Sequence, residues 1–137
     1  MHALAVLARS DEGASSAYVA GSVNTHAVAL RRVLGELVEA GLVEAQVGRG
    51  GGYRLARDPR RITLADVYEV IEPEGPLAPN PAEPNPYRPV GSGIRTAFAA
   101  PARKARKALL AALAKEIIAE LAQAAVRAGN AAPKKKV

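Results

Sequence analysis

The sequence predicts a mainly α-helical chain with one small β-hairpin and a long C-terminal helix. Four observations carry that expectation. The run Gly48-Arg49-Gly50-Gly51-Gly52 holds four glycines in five residues, which frees the backbone to reverse sharply. On either side, Val43-Glu44-Ala45-Gln46-Val47 and Tyr53-Arg54-Leu55 alternate apolar with polar, as hairpin strands do. Ahead of the hairpin, Leu30, Val33, Leu34 and Leu37 fall at the i, i+3, i+4, i+7 spacing of an amphipathic helix that also carries Arg31 and Arg32. Behind it lies an alanine-rich stretch from about Gly93 to Ala128. A glycine-tipped hairpin behind an arginine-bearing helix is the outline of a winged helix-turn-helix, here followed by a C-terminal dimerisation helix.

Residues 2–9 read as a short helix ended by the polar loop Ser10–Gly13. Ser15 or Ser16 can cap a second helix that runs to about Val23. Asn24-Thr25 supplies a turn, and the third helix spans about His26 to Ala40, with Gly41 as its stop. The hairpin follows at about 42–56. Thr63 reads as the N-cap of a fourth helix, with Asp66 three residues on as its capping-box partner. Leu64, Val67 and Ile71 form the buried face of that helix. Seven prolines between Pro73 and Pro89 exclude regular helix or central strand there, so the stretch is a linker or extended arm.

In the last element, Ile94, Phe98, Ala105, Leu109, Ala112, Leu113, Ile117 and Leu121 make a seam at near-heptad spacing. Arg103, Lys104, Arg106 and Lys107 lie opposite it. Pro101 predicts a break near 99–101. One long apolar stripe with no second long helix to cover it predicts homodimerisation; the alternative is packing back across its own domain. The resulting organisation is a DNA-binding unit over 1–72, a proline-rich linker over 73–92, a dimerisation region over 93–128 and a basic tail over 129–137.

Charge is distributed unevenly. The net +6 divides into −1 over residues 1–30, +3 over 31–61, −5 over 62–87 and +9 over 88–137. Every basic group in 31–61 is arginine, which suits phosphate forks and guanine edges better than lysine does. The absence of cysteine excludes disulfides, thiol catalysis and cysteine-ligated clusters within this chain. The apolar opening Met1–Ala8 meets Arg9 too early for a signal peptide or membrane span, which predicts a cytoplasmic protein.

The candidate chemistry lies on the third helix and the hairpin. A rotation of about 100° per residue puts Thr25, Val28, Ala29, Arg32 and, at the flank, Arg31 away from the core stripe. Arginines there can bond guanine bidentately or fork onto phosphate, and Val28 can meet a thymine methyl. Arg49 at the hairpin tip and Arg54 on the return strand would reach a minor groove or flanking phosphates. The bland alternative is a solvated amphipathic surface. No catalytic constellation and no metal site is legible: His2 and His26 sit in separate helices, and His26 is expected on the inner flank of its helix. Asp66, Glu69 and Glu72 read as a solvated face. The glycine run is followed by neither Lys-Ser/Thr nor a helix, so it is no phosphate loop. No cofactor is expected.

Several segments carry a family resemblance. Ser22-Val23-Asn24-Thr25, Leu30-Arg31-Arg32-Val33-Leu34, Ala40-Gly41-Leu42-Val43, Gly50-Gly51-Gly52-Tyr53-Arg54-Leu55 and Ile62-Thr63-Leu64-Ala65-Asp66-Val67-Tyr68 resemble the Rrf-two family of bacterial transcription regulators, as does Asn85-Pro86-Tyr87-Arg88-Pro89-Val90-Gly91. The similarity runs in register from about residue 2 to 121. It implies a dimer of winged-helix subunits joined by the C-terminal helix, with the third helix in the major groove and the wing over the minor groove. Several family members hold an iron–sulfur cluster with three cysteines. Arg88 stands where those relatives have a cysteine, and the chain looks closer to the YwnA-like branch without a cluster. Family members have several more residues ahead of the motif matched by His2-Ala3-Leu4, so the resemblance implies a shortened start here.

The sequence therefore predicts a homodimeric repressor that binds a pseudo-palindromic site on double-stranded DNA, with no membrane contact and an effector left open. The alternative is a dimeric ligand-binding or protein-interaction module that retains the winged fold without DNA binding.

Overall fold

The computed structural model describes residues 1–78 and 81–132. The expected basic tail is covered only to residue 132, and its Pro133–Val137 portion lies outside the described residues. The elements run α1 (His2–Leu7), α2 (Ser16–Val23), α3 (Ala27–Glu39), β1 (Val43–Gln46), β2 (Gly52–Leu55), a 3-10 turn (Pro59–Arg61), α4 (Leu64–Ile71), α5 (Pro89–Leu113) and α6 (Ile118–Ala131). The two strands pair antiparallel. The chain is mainly helical with one hairpin and a long C-terminal helix, as the sequence predicts.

Each element follows from local chemistry. Ser15 takes an extended conformation and its hydroxyl accepts the Tyr18 N–H at 3.1 Å, so it, not Ser16, caps α2. Thr63 and Asp66 close a full capping box on α4, with the Thr63 N–H on the Asp66 carboxylate at 2.8 Å and the Asp66 N–H on the Thr63 hydroxyl at 3.1 Å. Leu30, Leu34 and Leu37 of α3 are buried, while Val33 stays on the flank of the stripe.

These leucines meet Leu4 and Leu7 of α1, Val19 of α2, Leu42 and Val43 at the base of the hairpin, and Ile62 and Val67 beside α4. Burying each such side chain stabilises by about 1.5–3 kcal/mol, an upper estimate because the unfolded chain is itself partly collapsed.

The C-terminal region departs from expectation in three ways. Helix α5 begins at Pro89, not near Gly93, because a proline at the first helical position loses no bond and arrives with a helical φ. It then continues through Pro101 without ending. Ala97, whose carbonyl loses its intrahelical donor there, is exposed, so water can serve it, and the alanine, arginine and lysine neighbours favour helix. The chain instead breaks at 114–117. Ile117 adopts an extended conformation and bridges to Thr63; the Ile118 N–H donates to the Ile62 carbonyl at 2.9 Å, and the Leu64 N–H donates to the Glu116 carbonyl at 2.9 Å.

Ile118 thereby becomes fully buried and Ala122 follows it into the core, with Leu121 packed at the edge. The expected seam is thus divided. Ile117 and Leu121 turn toward their own domain, whereas Ile94 to Leu113 stay on a helix that buries no residue.

Ile118→Ala should destabilise the protein by about 2–5 kcal/mol, the usual cost of truncating a fully buried isoleucine. A urea titration of the full chain checks this. A midpoint equal to the parent's would show that α6 does not belong to the winged domain's core.

Candidate nucleic-acid interface

The helix-turn-helix is set by one left-handed residue. Asn24 closes α2 at φ 57°, a conformation asparagine tolerates, and its N–H reaches back to α2 carbonyls. The Thr25 N–H also bonds the Ala20 carbonyl at 3.1 Å. This tight reversal starts α3 at Ala27, with His26 as an extended N-cap that makes no side-chain capping bond. His26 is exposed, a correction to its expected place on the inner flank. The helix begins one residue later than the sequence suggests, which turns the ring outward.

The outer face of α3 is built by residues that the core does not use. Thr25, Val28, Ala29, Arg31 and Arg32 are all exposed, and Val28 is 75% exposed. Arg32 makes a loose i, i+4 pair with Glu36 at 3.7 Å, with the Arg32 side chain almost wholly in solvent. A pair of that kind is worth a few tenths of a kcal/mol, ~0.3–0.5, so it leaves the guanidinium available. Among the described residues, neither Arg31 nor Arg49 has an ion-pair partner.

The hairpin pairs Val43 with Leu55, Glu44 with Arg54, Ala45 with Tyr53 and Gln46 with Gly52. Gly48 and Gly50 at the tip have φ of 108° and 81°, a region that side chains rarely enter. Val47 and Arg49 project fully from this turn. The wing is held at its other end by a third backbone segment: Ala14 and Tyr53 exchange both N–H···O bonds, at 2.8 and 2.9 Å. Gly52 permits that approach, because a Cβ there would lie 2.2 Å from the Ala14 carbonyl oxygen. The loop between α1 and α2 therefore fixes where the wing points.

The arginines are not equivalent. Arg54 is engaged across the strands by Glu44 at 2.7 Å, both half-exposed, so it would meet a phosphate only by exchanging that partner. Arg57 donates to the Gly41 carbonyl at the end of α3. Arg60 clamps Asp58, whose carboxyl is held down to about 2 by hydrogen bonds from the Arg60 side chain and backbone. The sequence showed these side chains as one basic stretch; the cross-strand register was the available signal that Arg54 faces Glu44.

No group of three or more His, Cys, Asp or Glu side chains able to hold a metal occurs among the described residues. No helix among them is long and apolar enough to cross a membrane.

Gly52→Ala should break the Ala14–Tyr53 pairing, because neither backbone can retreat without losing both hydrogen bonds. Amide exchange at Tyr53 should accelerate, with a loss of about 1–3 kcal/mol of stability. Unchanged protection of the Tyr53 amide would mean the wing is not held at this point.

Comparison with known proteins agrees with the geometry. The family described as Rrf2, iron-dependent transcriptional regulator, matches residues 1–124. The protein named "Putative HTH-type transcriptional regulator YwnA" from Bacillus subtilis (strain 168) is 35% identical over 98 residues, 72% of each chain. Among solved structures, T. potens IscR matches with a TM-score of 0.67 at 25% identity, over 96% of this chain and 86% of that one. CymR (YrzC), the global cysteine regulator of B. subtilis, matches with a TM-score of 0.60 at 27% identity, over 88% and 87%.

The family description names iron, but the donors present here do not fit a thiolate-held cluster: the chain has no cysteine, and Arg88 precedes Pro89-Val90-Gly91. With the winged-helix architecture and this match over nearly its whole length, the chain belongs to the Rrf2 family of transcriptional regulators.

Proposed function

We propose that the protein is a cytoplasmic, homodimeric repressor that reads an operator in double-stranded DNA and works without an iron–sulfur cluster. The observation that carries this reading is the outer face of α3. It presents Val28, Arg31 and Arg32 to solvent, with little competing for the guanidinium groups, beside a rigidly anchored wing that ends in Arg49. Residues 1–72, with α6 packed into their core, would form the DNA-binding unit. Of the expected linker (73–92) and dimerisation region (93–128), the stretch before Pro89 would serve as linker and α5 would carry the dimer contact, with a basic tail at the end of the chain. Thr25, Val28, Ala29, Arg31 and Arg32 would enter the major groove, with Arg49 and Arg54 at the flanking phosphates or minor groove. Repression follows from occupancy of the operator.

The dimer reading is supported by α5. At about 1.5 Å per residue its 25 residues extend about 37 Å, yet none of them is buried. Ile94 and Phe98 are nearly half exposed, and Leu109 and Leu113 continue their face toward the break. Ala105 lies between them. Two such faces paired about a two-fold axis would place two α3 helices on one side of the duplex, and so favour a pseudo-palindromic site with half-sites about one helical turn apart. The competing reading, a winged-helix module that binds a ligand or protein and no DNA, draws on the acidic charge of residues 62–87.

Binding titrations on cognate and scrambled duplexes at several salt concentrations separate the two. Arg31→Ala or Arg32→Ala should lose about 1–3 kcal/mol on the cognate site and relax specificity at one position. Arg49→Ala should weaken binding evenly across sequences and reduce the salt slope by about one charge. Wild-type affinity in both helix variants would leave the arginines as a solvated face and put the ligand-binding module first.

The interface has its own test. Leu109→Lys combined with Leu113→Lys places charge in the proposed contact, which is costly unless paired. Sedimentation should then show monomer where the parent shows dimer. An unchanged sedimentation coefficient rules this face out.

A further inference from the structure

A cleft of about 260 Å³ lies between the proline-rich arm and the first half of α5. Its walls are Leu77 and Pro84 of the arm and Ile94, Phe98, Ala99 and Ala102 of the helix. The lining is apolar except for Arg95 at the lip. We propose that this cleft binds a small aromatic monocarboxylate, with the ring against Phe98 and the carboxylate on Arg95.

Size, shape and charge each narrow the ligand. A dry cavity of about 150 Å³ suffices for benzene, so this cleft of about 260 Å³ has room for one aromatic ring with a few further atoms. Ala99 and Ala102, small residues on the same helix as Phe98, leave room beside its ring, and aromatic rings pack well against one another.

Arg95 Nη1 contacts Glu83 Oε1 at 3.1 Å, and Nη2 donates to the Ala82 carbonyl at 3.0 Å. The Glu83 side chain is 86% exposed. An ion pair so open to water is weak, so a ligand carboxylate can take its place on the planar guanidinium while Glu83 returns to solvent. The Ala82 carbonyl contact keeps the guanidinium positioned during that exchange.

The cleft also sits where occupancy can be felt elsewhere. The arm is tied to α5 at a second point, where Arg106 donates to the Pro73 carbonyl and lies 3.5 Å from Glu69 of α4. Releasing Glu83 from Arg95 removes one of the contacts between the arm and the helix, while the Ala82 carbonyl contact stays. Ile94 and Phe98 belong both to the cleft wall and to the proposed dimer face, so a side chain from a second copy is the rival occupant. Binding itself is independent of the DNA-binding reading and is measured without DNA.

The test is an NMR titration of the full chain with benzoate and phenylacetate, and with benzyl alcohol and benzylamine as uncharged and cationic counterparts. The carboxylates should give saturable shifts confined to the Ile94, Phe98, Ala99 and Ala102 region. Dissociation constants should fall near ~0.1–1 mM, as ligands of this size allow. Arg95→Gln should weaken benzoate about tenfold or more and leave benzyl alcohol unchanged.

Glu83→Gln should tighten benzoate several-fold, since it removes the competing carboxylate; a purely structural pair would not give that sign. Ala99→Phe, with an unaltered urea midpoint, should abolish all binding. Shifts scattered over the surface, equal affinity for benzoate and benzylamine, or shifts that track only the monomer–dimer equilibrium would each overturn the proposal.

Discussion

Two backbone hydrogen bonds hold the architecture in its working form: Ile118 N–H to the Ile62 carbonyl, and Leu64 N–H to the Glu116 carbonyl. They join the segment just after the hairpin to the segment between the two C-terminal helices, and both flanking isoleucines, Ile62 and Ile118, are fully buried. A buried backbone pair of this kind is costly to break, because each freed group would remain away from water. It decides where α6 packs, where α5 must end, and from which corner of the winged domain α5 departs. The capping box at Thr63 lies inside the same stitch, so the start of α4 and the turn before α6 are specified together.

What was legible in the sequence was local. The tip glycines, the Thr63–Asp66 box and the leucine stripe of α3 each act within a few residues, and each is visible in spacing alone. The division of the C-terminal helix was not legible, because its cause is Ile62, far away in sequence. Read by period, Ile117 and Leu121 continue the α5 seam; in space Ile117 bridges to Thr63 by its backbone and Leu121 packs against its own core. Pro101 misled for the converse reason. Its steric rule is local, but the helix formers on both sides and the exposed Ala97 carbonyl let α5 carry that cost. At the site, exposure of Arg31, Arg32 and Arg49 followed from helix phase and loop position, while His26 depended on a boundary shift of one residue.

The proposed DNA face and the anchored wing solve one geometric problem between them. A recognition helix fixes orientation about its own axis only through its neighbours, here α2 through the Asn24 turn and the core leucines beneath. A hairpin alone would swing. The Ala14–Tyr53 pair adds a third strand-like contact to a two-stranded ribbon, which by itself is marginal in water. Helix and wing are therefore tied to the same α1–α2 region as well as to each other at the base of the hairpin, where Leu42 and Val43 pack with the α3 leucines, and the arginines on them keep a fixed separation.

The two halves of the C-terminal element also stand under different laws of concentration. Contacts made by α6 are internal to one chain and act at any dilution. No residue of α5 is fully buried and its Ile94–Phe98 face stays nearly half exposed, so a partner that bound this face would add stability in proportion to the amount present. Substitutions in α6 change how many molecules are folded. If the open face of α5 pairs two copies as proposed, substitutions there would change how the folded population responds to its own abundance and so set the regulator's dose response without touching the fold.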